Sequence, residues 1–176
     1  MLEILRLMAP SISRVGMICN PDNSVAATYL RWFEASAGQL GVQPINLPIR
    51  DAAGIERAIA GMAEQPNGAI LSVPDLTANI HRSLIATLTA RHRVPAIYTN
   101  SLFADAGGLV AYGANTLDLF RQAASYADRI LRGEKAGDLP FQQPTTYRLV
   151  INLKTAKALG LDVPPELVAR ADDVIE

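Results

Sequence analysis

Five short apolar runs recur along the chain, and segments with helical spacing fill the gaps between them. The runs are RVGMIC (14–19), VQPINLPI (42–49), GAILSV (68–73), PAIYT (95–99) and GLVAY (108–112). Between them lie VAATYLRWFEASAGQL, AAGIERAIAGMAE and ANIHRSLIATLTARH, each with apolar residues at helical intervals. Strands that are nearly continuous in apolar residues must be covered on both faces, and strands joined by helices run parallel. Right-handed crossovers then predict a three-layer α/β fold with a doubly wound, mostly parallel sheet. A chain of 176 residues is long enough for one such domain, or for one with an appendage.

Local signals place the boundaries. MLEILRLM reads as a short helix ending before Pro10, Asp51 as the N-cap of the second inter-strand helix, and Asn115 as the cap of TLDLFRQAASYADRILRG, stopped by Gly133. EKAGDLPFQQPTT (134–146) breaks the alternation with Gly and Pro and reads as a surface connection. YRLVINLKTAKALGL then predicts a strand and a short helix capped by Asn152, and VPPELVARADDVIE a final turn of helix started by Pro.

Composition removes several functions. Hydrophobic residues make up 49% and charged residues 19%, the profile of an ordinary globular protein. With 16 Lys+Arg against 17 Asp+Glu the net charge is -1, and no basic stripe with interleaved aromatics appears, so no nucleic acid partner is expected. The single Cys19 excludes an internal disulfide and any cysteine zinc site, and its apolar setting predicts an inert buried thiol. No apolar stretch approaches the roughly 20 residues that cross a bilayer. The first residues, with Glu3 among them, do not read as a secretory signal. His81 and His92 fall on one expected helix, about three turns apart, too far to share a metal. GxSxG, HExxH, Walker-type and GxGxxG patterns are missing, so no catalytic residue, cofactor or metal is expected.

In open α/β sheets ligands sit beyond the carboxyl ends of the strands, near a topological switch point. Four exits are rich in hydrogen-bonding side chains: NPDNS (20–24), PDLT (74–77), YTNS (98–101) and YGAN (112–115), all on one rim. Asn20 heads the first exit. Asn23 and Ser24 stand where a helix is expected to begin, a place that suits a carboxylate, and Asp75 would face a ligand ammonium. Tyr98 and Tyr112 offer flat apolar walls with a polar tip. The same residue types also serve as caps and turns, and it is their convergence on one rim that favours a binding site.

These exits, with ADRILRGEKAGDLPFQQPT and LVINLKTAKALGLDVPPELVARADDVIE, resemble the ABC-transporter substrate-binding protein family, whose members include tryptophan-type aromatic amino-acid binders. The resemblance runs from about Leu5 to the last residue, and LPFQQPT…LVINLKTAKALGL is its most specific part. It implies a type I periplasmic-binding-protein fold, in which two flavodoxin-like lobes hinge around a ligand, with this chain lacking the first. Residues 1–107 would form the ligand-binding lobe, Met1–Arg14 being the crossover into it. Residues 108–133 would be a strand and long helix returning to the absent lobe, and 134–176 a connection, strand and helices. By the same resemblance Asn23 and Ser24 would meet the ligand carboxylate and Asp75 its amino group, Asn100 and Tyr98 would line the cleft, and Tyr112 would lie near the hinge.

The function implied is a non-enzymatic solute-binding component of an ABC importer, taking a small ligand such as an amino acid and working with a permease. Its location would be periplasmic or membrane-anchored on the outer side if a signal peptide precedes the chain. A ligand-sensing domain of a regulator is an alternative, as is a small α/β enzyme acting through Asp75 or Asp22. A lobe without its partner exposes an apolar face or a sheet edge, so a homodimer is expected, with exchange of the Gly108–Gly133 segment.

Overall fold

The structure, a computed structural model, describes residues 1–176. Its elements run α1 (Leu2–Met8), β1 (Arg14–Cys19), α2 (Ala26–Gln39), β2 (Gln43–Pro48), α3 (Ala52–Ala63), β3 (Gly68–Ser72), α4 (Leu76–Ile80) and α5 (Arg82–Arg91). They continue with β4 (Ala96–Tyr98), α6 (Leu102–Asp105), β5 (Val110–Ala114), α7 (Thr116–Leu131), β6 (Tyr147–Asn152), α8 (Leu153–Leu159), α9 (Pro165–Ala169) and β7 (Asp173–Ile175). One seven-stranded sheet has the order β2-β1-β3-β4-β5-β6-β7. Strands β1 to β5 are mutually parallel, β6 is antiparallel to β5, and β7 is parallel to β6. The winding reverses between β1 and β3, which is the switch point of the doubly wound layer.

The apolar runs become strands because alternate side chains have cores to enter on both faces. Val15 and Met17 of β1, Leu71, Ile97 and Val110 pack on one face with Leu5, Met8 and Phe33. Ile18, Ile70, Tyr98 and Ala111 pack on the other with Ile55, Ile59 and Ile85. The edge strand β2 carries Pro44 and Pro48, which cannot donate to a further strand, so that edge is blunted against pairing.

Several expected signals act as read. Asp51 accepts from the Gly54 amide at 2.7 Å, Asn115 from Leu117 at 3.2 Å and Asn152 from Thr155 at 2.9 Å. Pro165 opens α9, and Gly133 follows α7 with φ 101°, a left-handed setting suited to glycine. Other details differ. ANIHRSLIATLTARH is two helices: His81 ends α4 with ψ 18°, so His81 and His92 flank α5 instead of sharing a helix face. The last residues form β7, whose three residues, Asp173 to Ile175, are too few to register as a strand in sequence.

Within the segment expected to leave this lobe, β5 stays in the sheet between β4 and β6, with Val110 and Ala111 buried. Only α7 stands away from the core; none of its residues is buried. Leu117, Phe120 and Leu131, at helical spacing, are 61%, 69% and 87% exposed. Its neighbouring face, with Leu119, Tyr126 and Ile130, meets Leu139, Pro140 and Phe141 of the connection that follows.

Candidate ligand-binding site

The parallel order of β1, β3, β4 and β5 brings the four polar exits to one rim, as the alternation requires. The β1 exit folds on itself through asparagine side chains. Asn20 Oδ1 accepts from the Asp22 amide at 2.9 Å, and Asn23 Oδ1 from the Val25 amide at 3.2 Å. Asn20 Nδ2 reaches across the switch point to Thr77 Oγ1 at 2.9 Å.

Asp75 is the centre of this network. It is 5% exposed, and its Oδ1 caps α4 by accepting from Ala78 N at 3.0 Å. Its Oδ2 accepts from Asn20 N and Asn23 Nδ2, each at 3.2 Å, and from the Cys19 thiol at 3.7 Å. Burial, then the charge and hydrogen bond of Asp75, push the Cys19 thiol up to about 11, so it remains a neutral donor. Four donors from the protein thus occupy the carboxylate, and its first duty is to clamp the β1 exit to the β3 exit.

The other expected residues divide. Tyr98 does not line the cleft: strand alternation turns it into the core, where it is fully buried. Its hydroxyl meets Thr89 Oγ1 at 3.0 Å, its ring stacks on Phe103 at 4.5 Å, and burial raises its pKa. Asn23 and Ser24 do not open α2, which begins at Ala26 with Val25 in the cap position. Ser24 is exposed on the turn. Asn100 Oδ1 accepts from Leu102 N at 2.9 Å. Tyr112 is half-buried and stacks on Tyr147 with centroids 5.8 Å apart.

Two cavities flank the β4 exit, and Thr99 lines both. The first, about 430 Å³, is walled by Tyr29, Trp32 and Phe33 of α2 and by Leu71 and Val73, and reaches Pro74 at the β3 exit. Tyr29 and Trp32 meet edge to face at 6.1 Å, and Trp32 is 64% exposed. The second, about 310 Å³, lies among the 99–102 loop, residues 113–117 and Arg148. Sequence reasoning missed Tyr29, Trp32 and Arg148. The available signal for the first two was a pair of aromatics three positions apart on the helix that follows the first exit.

Residues 1–175 match the family of ABC transporter substrate binding proteins. The chain belongs to that family. A curated relative is the tyrosine-binding protein of Clostridioides difficile (strain R20291), 22% identical over 163 residues, covering 91% of this chain and 46% of the relative. Among solved structures, a conserved domain protein from Vibrio cholerae superposes with a TM-score of 0.90 at 22% identity, covering 98% of this chain and 58% of the other. The ABC domain in complex with L-Trp from Streptococcus pneumonia gives 0.90 at 21% identity, covering 99% of this chain and 59% of the other. A ligand-free, open substrate binding protein with adhesive properties from Clostridium difficile gives 0.73 at 20% identity, with coverages of 99% and 58%. This substrate-binding chain therefore shares their α/β fold, and it spans about half the length of the curated relative.

Proposed function

We propose that the chain holds a small aromatic amino acid at the carboxyl rim of its sheet, as the solute-binding part of an ABC importer. One observation carries the reading: an aromatic-walled cavity of about 430 Å³ adjoins the polar exits of β3 and β4. Apolar walls with a few polar groups at one end are what an amino acid with a flat side chain needs. Tyr29 and Trp32 would contact the ring. Asn20, Asn23, Ser24, Asn100 and Tyr112 are the rim positions for its polar end, and Asp75 would act on them by holding the exits in register. The bound tryptophan of one structural relative and the name of the tyrosine-binding relative support this ligand class.

The chain acts by binding, not by chemistry: the Cys19 thiol is kept protonated and the Asp75 carboxylate is saturated. In this role it works outside the cytoplasm and delivers its ligand to a permease. Residues 1–107 with the later strands form the ligand lobe, and α7 within 108–133 is the piece that another lobe would cover. Calorimetry with L-tryptophan tests the site. Trp32→Ala is expected to weaken binding about tenfold, the loss of one aromatic contact; unchanged affinity would place the ligand elsewhere.

In the 176-residue chain we assign the exposed face of α7 to a second copy, since Leu117, Phe120 and Leu131 need cover and a net charge of -1 raises little repulsion between copies. Light scattering should give a dimer that Phe120→Asp converts to monomer. A monomeric wild type at high concentration would contradict it.

A further inference from the structure

The second cavity has a chemistry unlike the first. Arg148 sits on β6 directly opposite Gly113 of β5 in the antiparallel register, and it lines a cavity of about 310 Å³. Its closest charged partner is Asp173, 3.8 Å away on β7, with both side chains partly exposed. That separation is too long for the paired, parallel hydrogen bonds a guanidinium forms with a well-placed carboxylate. Arg148, with its fork of five donors, thus lines a space that Thr99, Asn100, Ser101 and Thr116 also line. The floor is rigid because the Thr99 backbone lies directly over Gly113: a Cβ on Gly113 would stand 1.8 Å from the Thr99 carbonyl oxygen.

We propose that this cavity is an oxyanion subsite in which Arg148 takes the carboxylate of the ligand whose ring occupies the aromatic cavity. The inference rests on the reading of this rim as the ligand site. Thr99 borders both cavities, so a ring on one side and a carboxylate on the other would flank a single strand exit. Arginine suits the task because its planar fork matches a carboxylate edge. The ion pair of Arg148 is the long contact to Asp173, and the Asp118 carboxylate of α7 is held by Thr146, Asn115 and Arg121. The Asn23–Ser24 turn would then act on the ligand from the opposite side of the rim and would not be its carboxylate receptor.

The test has two arms on the full chain. In the first, sodium acetate is titrated at constant ionic strength while backbone amide shifts are followed by NMR. Saturable shifts are expected at Ser101 and at residues 113–117, with the apparent Kd rising at least about tenfold in Arg148→Met and partly restored in Arg148→Lys. Shifts that do not saturate, or that are the same in Arg148→Met, would overturn the subsite. In the second arm, calorimetry compares L-tryptophan with tryptamine, which lacks the carboxylate. Arg148→Met should weaken L-tryptophan about tenfold and leave tryptamine unchanged; equal losses for both would overturn the assignment. Should L-tryptophan fail to bind the wild type, the ligand class proposed above falls, while the acetate arm still decides the subsite.

Discussion

Gly113→Ala is expected to destabilise the fold by about 3 kcal/mol or more, lowering Tm by roughly 6–12 °C for a chain of this size. The added Cβ would lie 1.8 Å from the Thr99 carbonyl oxygen and 2.7 Å from its carbonyl carbon. Both atoms are backbone, so no side-chain rotation relieves the overlap, and the β5 end must move away from the chain leaving β4. The glycine has no left-handed φ to maintain, so the cost is close approach alone. Gly61, inside α3, is the matched control: a Cβ there meets nothing within 4 Å. Gly61→Ala should therefore raise stability by about 0.5–1 kcal/mol through helix propensity. Thermal or urea unfolding of the two variants separates the effects. A Gly113→Ala protein as stable as wild type would mean that the β4 exit is not packed on β5 as described.

Asp75→Ala should cost about 3 kcal/mol, from a lost helix cap and from donors left without an acceptor in a largely buried site. The carboxylate receives Ala78 N, Asn20 N, Asn23 Nδ2 and the Cys19 thiol; the thiol can also reach the Asn20 carbonyl oxygen at 3.5 Å and Asn23 Nδ2 the Pro74 carbonyl oxygen at 3.4 Å, but no other acceptor meets the Asn20 amide. Asp75→Asn keeps an oxygen for the α4 cap but turns an NH₂ group toward the donors of the β1 exit, so about half of that loss should remain. Cys19 should then become more reactive toward alkylating agents at alkaline pH. In wild type the raised pKa keeps the thiol protonated from its ordinary range up to about 11, and removal of the Asp75 charge takes away one cause of that shift. The thiol's contribution to stability is therefore intact at neutral pH and fades as pH rises toward about 11. If Asp75→Asn instead leaves unfolding unchanged and only weakens an amine ligand, the clamp is wrong and the carboxylate faces the ligand.

Where the sequence was legible, periodicity and caps made it so. The run RVGMIC reads as β1 without a residue's error because both sheet faces are buried there, and Asp51, Asn115 and Asn152 announce helices that begin where their side chains accept. The rim was legible for the same reason: parallel strands send all their exits one way. What failed was the direction of individual side chains. Tyr98 looks like a rim aromatic, but it is the last residue of a three-residue strand, and alternation turns it into the core beside Thr89. Asp75, expected to face an ammonium, also holds Asn20 and Cys19, which lie 55 and 56 positions away, a pairing no local pattern contains. Arg148 faces Gly113 only because β6 turns antiparallel after a connection that follows α7. Strand β7 was hidden by its shortness.

An aromatic amino acid that enters the cavity beside the β3 and β4 exits, as proposed, must meet Trp32. Trp32 is the only tryptophan of the chain and it lines that cavity, so its fluorescence is a local reporter. The most direct measurement is a titration of Trp32 emission with L-phenylalanine, with L-alanine as the control that lacks the ring. A saturable change in emission is expected with L-phenylalanine and none with L-alanine. A flat response to both, or the same response to both, would contradict the proposed binding.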